Sequence, residues 1–569
     1  MSGGDASTGG EDDASGVDPV TLEVVRNGCA AVCEEMNATL VRTSYSPNIK
    51  ERKDCSCALF DAGGALVAQA ENLPVHLGAM PFSVAAALSA FPPEMLAPGD
   101  AVLLNDPYEG GAHLPDLTLV TPVFVDGEVV ALAANRAHHA DVGGATAGSV
   151  GADSTEIYQE GLRIPPVKLL EGGEENRAVY DLIERNVRTP EERRGDLRAQ
   201  VAANETGADR FRELVDRYGT DTLGAALSEL KDYSERRMRA ELEAIPDGEY
   251  RFEDVLDGDG RGAEDLPVVA TVTVDGDAVT IDFAGTALQT EGPINAVFAV
   301  TASATYYAVR AVTDPDIPPN EGCYRPVHVE ASPGTIVNPE PPAAVVGGNL
   351  ETSQRVTDAV LGAFAAAAPE RAVAAGQGTM NNVTFGGADE SGDPFAFYET
   401  QAGGFGAHAA GDGMDAVHVH MSNTLNTPAE VLETAYPLRV RRYALRPDTG
   451  GAGRFRGGLG VRRDIEVRTD AVCSLLADRQ RNAPYGLAGG SDGATGATYR
   501  LDDGGRTRLD AKSTHELEAG DVISLRTPGG GGYGTPAERD AEDIERDLRL
   551  GKLSEAAARA EYGHEPGDE

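Results

Sequence analysis

Apolar residues recur along this chain with two different periods, and the period changes between regions. From about residue 18 to Thr43 they lie three or four positions apart, which predicts a long helix, and Asp18-Pro19 is typical of an N-cap followed by proline at the first helical position. We expect another helix over Leu77–Phe91, ended by Pro92-Pro93. Residues 174–245 are helical in pattern and heavily charged, which indicates an arm for packing or for a partner chain.

Short apolar runs bounded by turn residues predict β-hairpins. Leu117–Phe124 and Val129–Ala134 flank Asp126-Gly127, the signature of a two-residue type I′ turn. Cys55–Phe60 and Ala65–Gln69 flank a second glycine-containing turn. Both hairpins therefore belong to one or more antiparallel sheets in the first half of the chain.

From about Gly248 the strand pattern dominates. It predicts strands at Tyr250–Leu256, Val268–Val274, Ala278–Phe283, Gly322–Val329, Ala343–Val346, Gly378–Phe385 and Phe395–Thr400, a helix from Gly347 to about Ala367, and a β-rich, glycine-rich stretch over 436–535. The predicted fold is a large multi-domain α+β chain with mixed and antiparallel sheets and a β-rich C-terminal half. Its predicted parts are a disordered acidic tail (1–17), an N-terminal α+β region with a helical arm (18–245), a β-rich region with interspersed helices (246–535) and a charged helical tail (536–569).

The chain carries 92 acidic against 48 basic residues, a formal charge of −44, and six of the basic residues are lysine. Such a field repels nucleic acid and anionic membranes, so we expect neither as a partner. Acid excess with few lysines suits a salt-rich cytosol, where charges are screened within roughly 3 Å at 1 M salt. We infer a halophilic source; the alternative is a preference for a basic substrate or partner.

The sequence shows no apolar run of 18 residues, and its first residues lack the pattern of a signal peptide, which predicts a cytoplasmic protein. Its six cysteines lack metal-ribbon spacing. We therefore expect buried, reduced thiols.

Histidine and aspartate are concentrated around the first of the hairpins defined above. If Val125 faces Glu128, regular pairing places Asp116 opposite Ala137, with His113 just beyond the open end. Ligands of one metal ion must converge to about 2.0–2.2 Å from it, and His113, Asp116 and His138 are a plausible set. Asp54, at the open end of the second hairpin, is a fourth candidate. Mixed carboxylate and imidazole ligands suit Zn, Mn or Fe. Pro122 indicates an edge strand.

Each of these residues also has a purely structural interpretation. A histidine after a strand is often only hydrogen-bonded, and an aspartate near glycine and proline is often a turn former. His76 is predicted to be a helix cap or an outer group of the site. His418 and His420 alternate on a predicted strand and could form a different metal site.

Four further residues are candidates for catalysis. Glu156 or Glu160 could act as a general base or contact the substrate, and Arg163 could bind an anionic group bidentately. His139 neighbours the ligand set and is included with them. Helix capping and surface ion pairing explain the same residues without a catalytic role.

Long motifs resemble one known family. The runs NIKERKDCSCALFD, NDPYEGGAHLPDLTLVTPVF, NRAHHADVGG, DSTEIYQEGLRIPPVKL, GGNLETSQRVTDAVLGAF and TPGGGGYG look like the hydantoinase B, or 5-oxoprolinase B-subunit, family over roughly residues 18–563. The resemblance implies a metal-bearing subunit that works in a hetero-oligomer with an ATP-binding A subunit. It also implies metal ligands at Asp54, His113, Asp116 and His138.

The activity implied by the resemblance is hydrolysis of a lactam or hydantoin after ATP-dependent activation by the A subunit. This chain shows no nucleotide motif of its own, so ATP would bind only to the partner. A similar acetone-carboxylase-type subunit and a non-catalytic scaffold for the A subunit are the alternatives.

Overall fold

The computed structural model describes residues 17–70, 72–502 and 505–565. Within these ranges the chain forms helices and four β-sheets, one of which contains a parallel pair, so the predicted α+β class with mixed and antiparallel sheets is confirmed. Apart from Val17, the tail that the sequence predicts to be disordered lies outside the described residues. The division of the chain at 245 and 535 stays a prediction.

The first sheet is antiparallel and carries both predicted hairpins. Its strands lie in the order β2-β1-β5-β4-β3-β6-β7. Their bounds are β1 (Cys55–Asp61), β2 (Leu66–Gln69), β3 (Ala101–Leu104), β4 (Asp116–Val125), β5 (Glu128–His138), β6 (Val167–Glu171) and β7 (Glu174–Glu175). The edge position inferred from Pro122 is wrong, because β4 lies between β5 and β3. Pro122 is tolerated because β3 pairs with β4 only as far as Val120.

Helices cover both faces of this sheet. The N-terminal helices are α1 (Pro19–Thr43), α2 (Pro47–Lys50), α3 (Pro74–Leu77), α4 (Met80–Ala90), α5 (Arg177–Asn186), α6 (Pro190–Tyr218) and α7 (Thr220–Glu243). Successive residues of a strand face opposite sides: Cys57 and Leu59 pack in one core with α1 and α6, whereas Ala58 and Phe60 pack against α4. Burial on both sides explains why β1 is apolar almost throughout.

One helical prediction needs correction. The N-cap at Asp18 and the end of α1 at Thr43 are confirmed. The helix predicted over Leu77–Phe91 is instead α3 and α4, because Pro81 has no N–H to donate to the carbonyl of Leu77. The charged arm forms two long helices that meet at Gly219, whose positive φ of 79° suits glycine.

The second sheet has the order β11-β10-β9-β8, and α8 and α10 pack against it. Its elements are β8 (Gly248–Gly258), β9 (Glu264–Asp275), β10 (Ala278–Asp282), α8 (Phe298–Ala311), α9 (Glu321–Tyr324), β11 (Val327–Glu330), a short π-helix (Gly348–Thr352) and α10 (Ser353–Ala367). The first three residues of the strand predicted over Gly322–Val329 belong to the short α9. The strand predicted at Ala343–Val346 is wrong: the N–H groups of Val345 and Val346 donate to a carboxylate, not to a ladder.

Two more sheets form the second half, with the orders β13-β12-β16-β19 and β14-β15-β20-β17-β18. Their elements and those of the tail are β12 (Asn382–Ala388), β13 (Pro394–Glu399), α11 (Ala429–Ala435), β14 (Leu438–Leu445), β15 (Val461–Val467), β16 (Ala471–Leu476), β17 (Ala497–Asp502), β18 (Gly505–Leu509), β19 (Lys512–Leu517), β20 (Val522–Arg526), α12 (Ala541–Arg549) and α13 (Glu555–Tyr562). The β-rich second half is thus confirmed, and α12 and α13 lie in the predicted tail.

Glycine segments between these strands pack backbone against backbone. The N–H of Gly530 donates to the carbonyl of Gly458 (2.9 Å), and the N–H of Gly458 donates to that of Phe405 (2.8 Å). A Cβ added at Gly530 would lie 2.1 Å from the oxygen of Phe405. Only glycine allows such an approach.

All six cysteines are buried and free, as expected. Among the described residues, none of the helices has both the length and the apolar character needed to cross a bilayer.

Candidate metal centre

A β-bulge sets the register of the hairpin that carries the candidate ligands. Val125 pairs with Glu128 as expected, but the register shifts by one residue near Val123. Asp116 therefore faces His138, and the predicted pairing with Ala137 is wrong. An extra residue in one strand is what a β-bulge introduces, and here it brings a carboxylate and an imidazole directly opposite each other.

The loop before β4 is fixed so that His113 turns towards Asp116. The carboxamide nitrogen of Asn105 donates to the carbonyls of Leu114 (2.7 Å) and Leu162 (3.0 Å), and its oxygen accepts from the N–H of Ile164 (2.7 Å). These hydrogen bonds join the two ends of the NDPYEGGAHLPD segment to each other and to Leu162 and Ile164.

Three buried side chains converge at the open end of the hairpin. The Nε2 atom of His113 lies 3.1 Å from Oδ1 of Asp116, and Nδ1 of His138 lies 3.3 Å from the same oxygen. One ligand atom from each residue lies within 4.8 Å of the other two. His113 and Asp116 have no exposed surface, and 2% of His138 is exposed.

These close contacts leave polar atoms without hydrogen bonds. His113 Nε2, both carboxylate oxygens of Asp116 and His138 Nε2 are buried and have no hydrogen-bond partner. Two atoms that are each about 2.0–2.2 Å from one ion in tetrahedral geometry lie roughly 3.3–3.6 Å apart, close to the separations seen here. The group can therefore hold a metal ion.

The sequence did not identify His76 as part of this cluster, although it allowed an outer position. Its Nε2 lies 3.3 Å from Oδ1 of Asp116 and 3.9 Å from Oδ1 of Asp54. The carboxylate of Asp54 is buried and lies 3.7 Å from the guanidinium of Arg52. Asp54 thus sits beside the three convergent residues, outside the tightest group, and its role as a ligand stays a prediction.

The electrostatics favour an ionised carboxylate in this group. Burial by itself raises the pKa of Asp116, but the positive charge of the protonated rings of His113 and His76 outweighs it and holds that pKa well below its ordinary value. Burial lowers the pKa of His138. An ionised carboxylate and neutral imidazoles are the forms that bind metals.

Neighbouring groups fix the orientation of two of the rings. Nδ1 of His113 lies 3.3 Å from the carbonyl oxygen of Val346, which leaves Nε2 to face Asp116. The ring of Tyr398 stacks on His138 with centroids 4.6 Å apart. Neither the carbonyl nor the tyrosine carries a signal in the sequence that could have linked it to these histidines.

Glu160 contacts the backbone of Val346, as His113 does. One of its carboxylate oxygens accepts from the N–H groups of Val345 and Val346, both at 2.9 Å, and its other oxygen is buried without a partner. Burial raises its pKa to about 8. Glu160 thus positions the backbone that orients His113.

The other three catalytic candidates lie apart from the convergent group. Glu156 is exposed and caps the short helical turn that follows it. Arg163 pairs with Asp106 (2.7 Å). His139 is buried with Nε2 2.9 Å from the amide oxygen of Gln200, and burial, together with the charge of Arg193, lowers its pKa to about 4.

The alternating pair His418 and His420 does not share a strand face. The described residues around them form no strand; Nδ1 of His418 lies 3.0 Å from the hydroxyl of Ser422, and Nε2 of His420 lies 3.4 Å from Asp358. The alternative metal site is therefore wrong.

A narrow cavity of about 10 Å³ adjoins the cluster. Its lining joins both halves of the chain: Asp54, Leu73, Val75, His76, His138, Asn349, Leu350, Met380, Tyr398, Thr400, Ser422 and Thr424. A cavity of this volume holds about one water molecule, so a larger molecule could enter only as the cavity widens.

Comparison with known proteins gives these features a context. Residues 18–536 match the family model described as hydantoinase B/oxoprolinase. The chain is 35% identical to the B subunit of a putative D-/L-hydantoinase of Pseudomonas sp., covering 97% of this chain and 96% of that protein. It is 39% identical to 5-oxoprolinase 1 of Arabidopsis thaliana over 91% of its own length, but it spans 42% of that longer protein.

Two solved structures share the fold. The ATP-dependent caprolactamase of Pseudomonas jessenii superposes with a TM-score of 0.89 at 32% identity, covering 97% of both chains. A nucleotide-free acetone carboxylase has the same TM-score at 19% identity, covering 96% of this chain and 79% of that one, which shows the common fold alone. The sequence and structural matches agree with the motifs and their geometry, and the chain belongs to the hydantoinase B/oxoprolinase family.

Proposed function

We propose that this chain is the metal-dependent B subunit of an ATP-dependent cyclic amidase, which opens a lactam or hydantoin ring after an ATP-binding A subunit has activated it. The observation that carries the proposal is the buried group of His113, Asp116 and His138, which includes ring and carboxylate atoms without hydrogen-bond partners. The relatives named as a hydantoinase, a 5-oxoprolinase and a caprolactamase support the substrate class.

His113, Asp116 and His138 would hold the ion, with Asp54 and His76 beside them. A divalent ion there, of which Zn, Mn and Fe fit the ligand types, would lower the pKa of bound water and polarise the carbon under attack. Leu350 and Met380 give the cavity an apolar wall that limits the access of bulk water, and the ring of a small cyclic amide would pack against them once the cavity widens.

ATP would enter the reaction through the partner. The sequence shows neither a P-loop nor a dinucleotide fingerprint, and the Pseudomonas relative is named as one subunit of its enzyme, which fits a separate partner chain. We propose that the two chains form a hetero-oligomer in the cytoplasm, with nucleic acid and membranes excluded as partners by the charge of −44.

The substitution His113→Ala tests the proposal. It removes one ligand from the group, so we expect stoichiometric metal to be lost and ring hydrolysis by the complex to fall more than about 100-fold, while the ATPase activity of the partner is retained. Elemental analysis and a hydrolysis assay give the two readouts.

His328→Ala is the matched control, because His328 is exposed on β11. It should keep both metal and activity. Ring opening that survives His113→Ala would refute the metal-dependent function. A purified wild-type chain that retains no ion would favour the scaffold, and turnover that requires bicarbonate would favour the carboxylase alternative.

A further inference from the structure

The carboxamide of Asn349 lines the cavity beside the metal centre without any hydrogen-bond partner in the described structure. The residue is 2% exposed, and its Oδ1 is fully buried. A buried polar group without a partner destabilises the folded chain. Such a group at the wall of a cavity is available to hydrogen-bond a ligand that enters there.

The other uncharged polar side chains around this cavity already have partners. The hydroxyls of Thr400 and Thr424 lie 2.9 Å apart, and the phenol of Tyr398 donates to a neighbouring asparagine (3.0 Å). The hydroxyl of Ser422 lies 3.0 Å from a histidine ring nitrogen. Asn349 is therefore the uncharged polar side chain on this wall that is left for a ligand.

The backbone holds Asn349 in a fixed position. It lies in the short π-helix Gly348–Thr352, and short π-helical segments often occur at functional sites. A Cβ added at Gly348 would lie 1.9 Å from the carbonyl oxygen of Asn295, so this π-helix packs directly against the backbone of Asn295. The side chain of Asn349 is thus presented by a rigid element.

We propose that Asn349 binds the amide edge of the substrate ring; the proposal rests on the proposed hydrolysis of a cyclic amide. A small ring keeps its amide cis, so its N–H and C=O groups lie on the same edge. A carboxamide likewise presents an acceptor, Oδ1, and a donor, Nδ2, on one edge. The two edges match through two hydrogen bonds.

The side chain of Asn349 can hydrogen-bond to the ring nitrogen both before and after activation. Transfer of the γ-phosphoryl group of ATP to the ring oxygen releases ADP, and loss of the N–H proton to solvent converts the nitrogen from a donor to an acceptor. Asn349 can then donate to it from Nδ2, whereas an ionised aspartate could only accept. An N-methyl group on the ring would block the contact in either form.

The test uses the complex of this chain with its ATP-binding partner. Its probes are 2-pyrrolidinone, caprolactam, hydantoin and 5-oxoproline. Each is paired with the counterpart that carries a methyl group on the nitrogen of the amide to be opened. The wild type should prefer the parent ring at least tenfold. Asn349→Leu and Asn349→Asp should lower kcat/KM for the parent ring about 10- to 100-fold and narrow that preference, with the metal content unchanged.

Asn423→Leu is the matched control, since Asn423 is exposed between two residues of the cavity wall, and it should behave as the wild type. Full activity in both Asn349 variants, or equal use of N-methylated rings by the wild type, would overturn the role of Asn349 while leaving the hydrolase intact. A wild-type complex that opens none of the rings would overturn the proposed function and this role with it.

Discussion

Glu160 influences the candidate site through the backbone of Val346, and its ionisation is unusual. Burial raises its pKa from the ordinary 4.5 to about 8, although two backbone N–H groups bind its carboxylate. Between these values the folded chain keeps a proton that the unfolded chain has lost. The stability that this proton gives is present at low pH and falls as the pH rises from about 4.5 to about 8.

Glu160→Gln removes this titration while keeping an acceptor for both N–H groups. We expect the free energy of unfolding of the variant to decline less steeply over pH 5–8, by up to about 1.4 kcal/mol per pH unit. Urea unfolding at pH 5, 6.5 and 8 measures the slope. Glu351, whose pKa burial also raises to about 8, should leave part of the slope in place.

Glu156→Gln is the control, because Glu156 is exposed and belongs to the same turn. It should keep the slope of the wild type. Identical slopes in Glu160→Gln and the wild type would contradict the prediction.

The sequence predicted His113, Asp116 and His138 because a hairpin brings residues that are distant in sequence to neighbouring positions, and the family motif selects the same residues. His76 could be placed only by the packed structure. Its ring reaches Asp116 because α3 packs against β1, and no local pattern encodes that contact. The same holds for Asn349, whose significance depends on which neighbours its side chain lacks.

At the scale of elements, periodicity and turn residues predicted most strands of the first two sheets, including both hairpins. The register failed by one residue, because the hydrophobic pattern does not show where a β-bulge enters a ladder. The strand predicted over 343–346 failed because a distant carboxylate, Glu160, binds its backbone N–H groups. Both errors arise from tertiary contacts that local sequence does not determine.

Glycines of the second half such as Gly530 pack closely against backbone atoms, whereas Gly224 within α7 has open space around it. An alanine substitution at each position tests this difference. A Cβ added at Gly224, within α7, meets nothing within 4 Å. Gly224→Ala should stabilise the chain by about 0.5–1 kcal/mol. Gly530→Ala should destabilise it by about 3 kcal/mol or more, because the new methyl group would overlap a carbonyl.

Urea unfolding of both variants beside the wild type measures these changes. A Gly530→Ala variant as stable as the wild type would show that the backbone contact is not required.

For the whole molecule, the charge of −44 predicts stability that depends on salt. The Debye length, over which salt screens charges, shortens from about 10 Å at 0.1 M to about 3 Å at 1 M. Repulsion between the carboxylates therefore weakens as salt is added. We expect the melting temperature to rise steadily between 0.1 and 2 M KCl at pH 7, which differential scanning calorimetry measures.

The same titration near the isoelectric point of about 4.5 is the control, because the net charge vanishes there. The dependence on KCl should then be largely lost. A melting temperature that does not respond to salt at pH 7 would argue against a halophilic source.

The burial of His113 and Asp116 also affects how an ion would be exchanged. Neither side chain meets solvent, so a cation between them could leave or enter only when the surrounding packing opens. The rate of that opening, rather than the concentration of free ions, would set how quickly a chelator strips the protein. A chain that acquired its ion while folding would therefore keep it through purification, and one that folded without an ion would be slow to take one up afterwards.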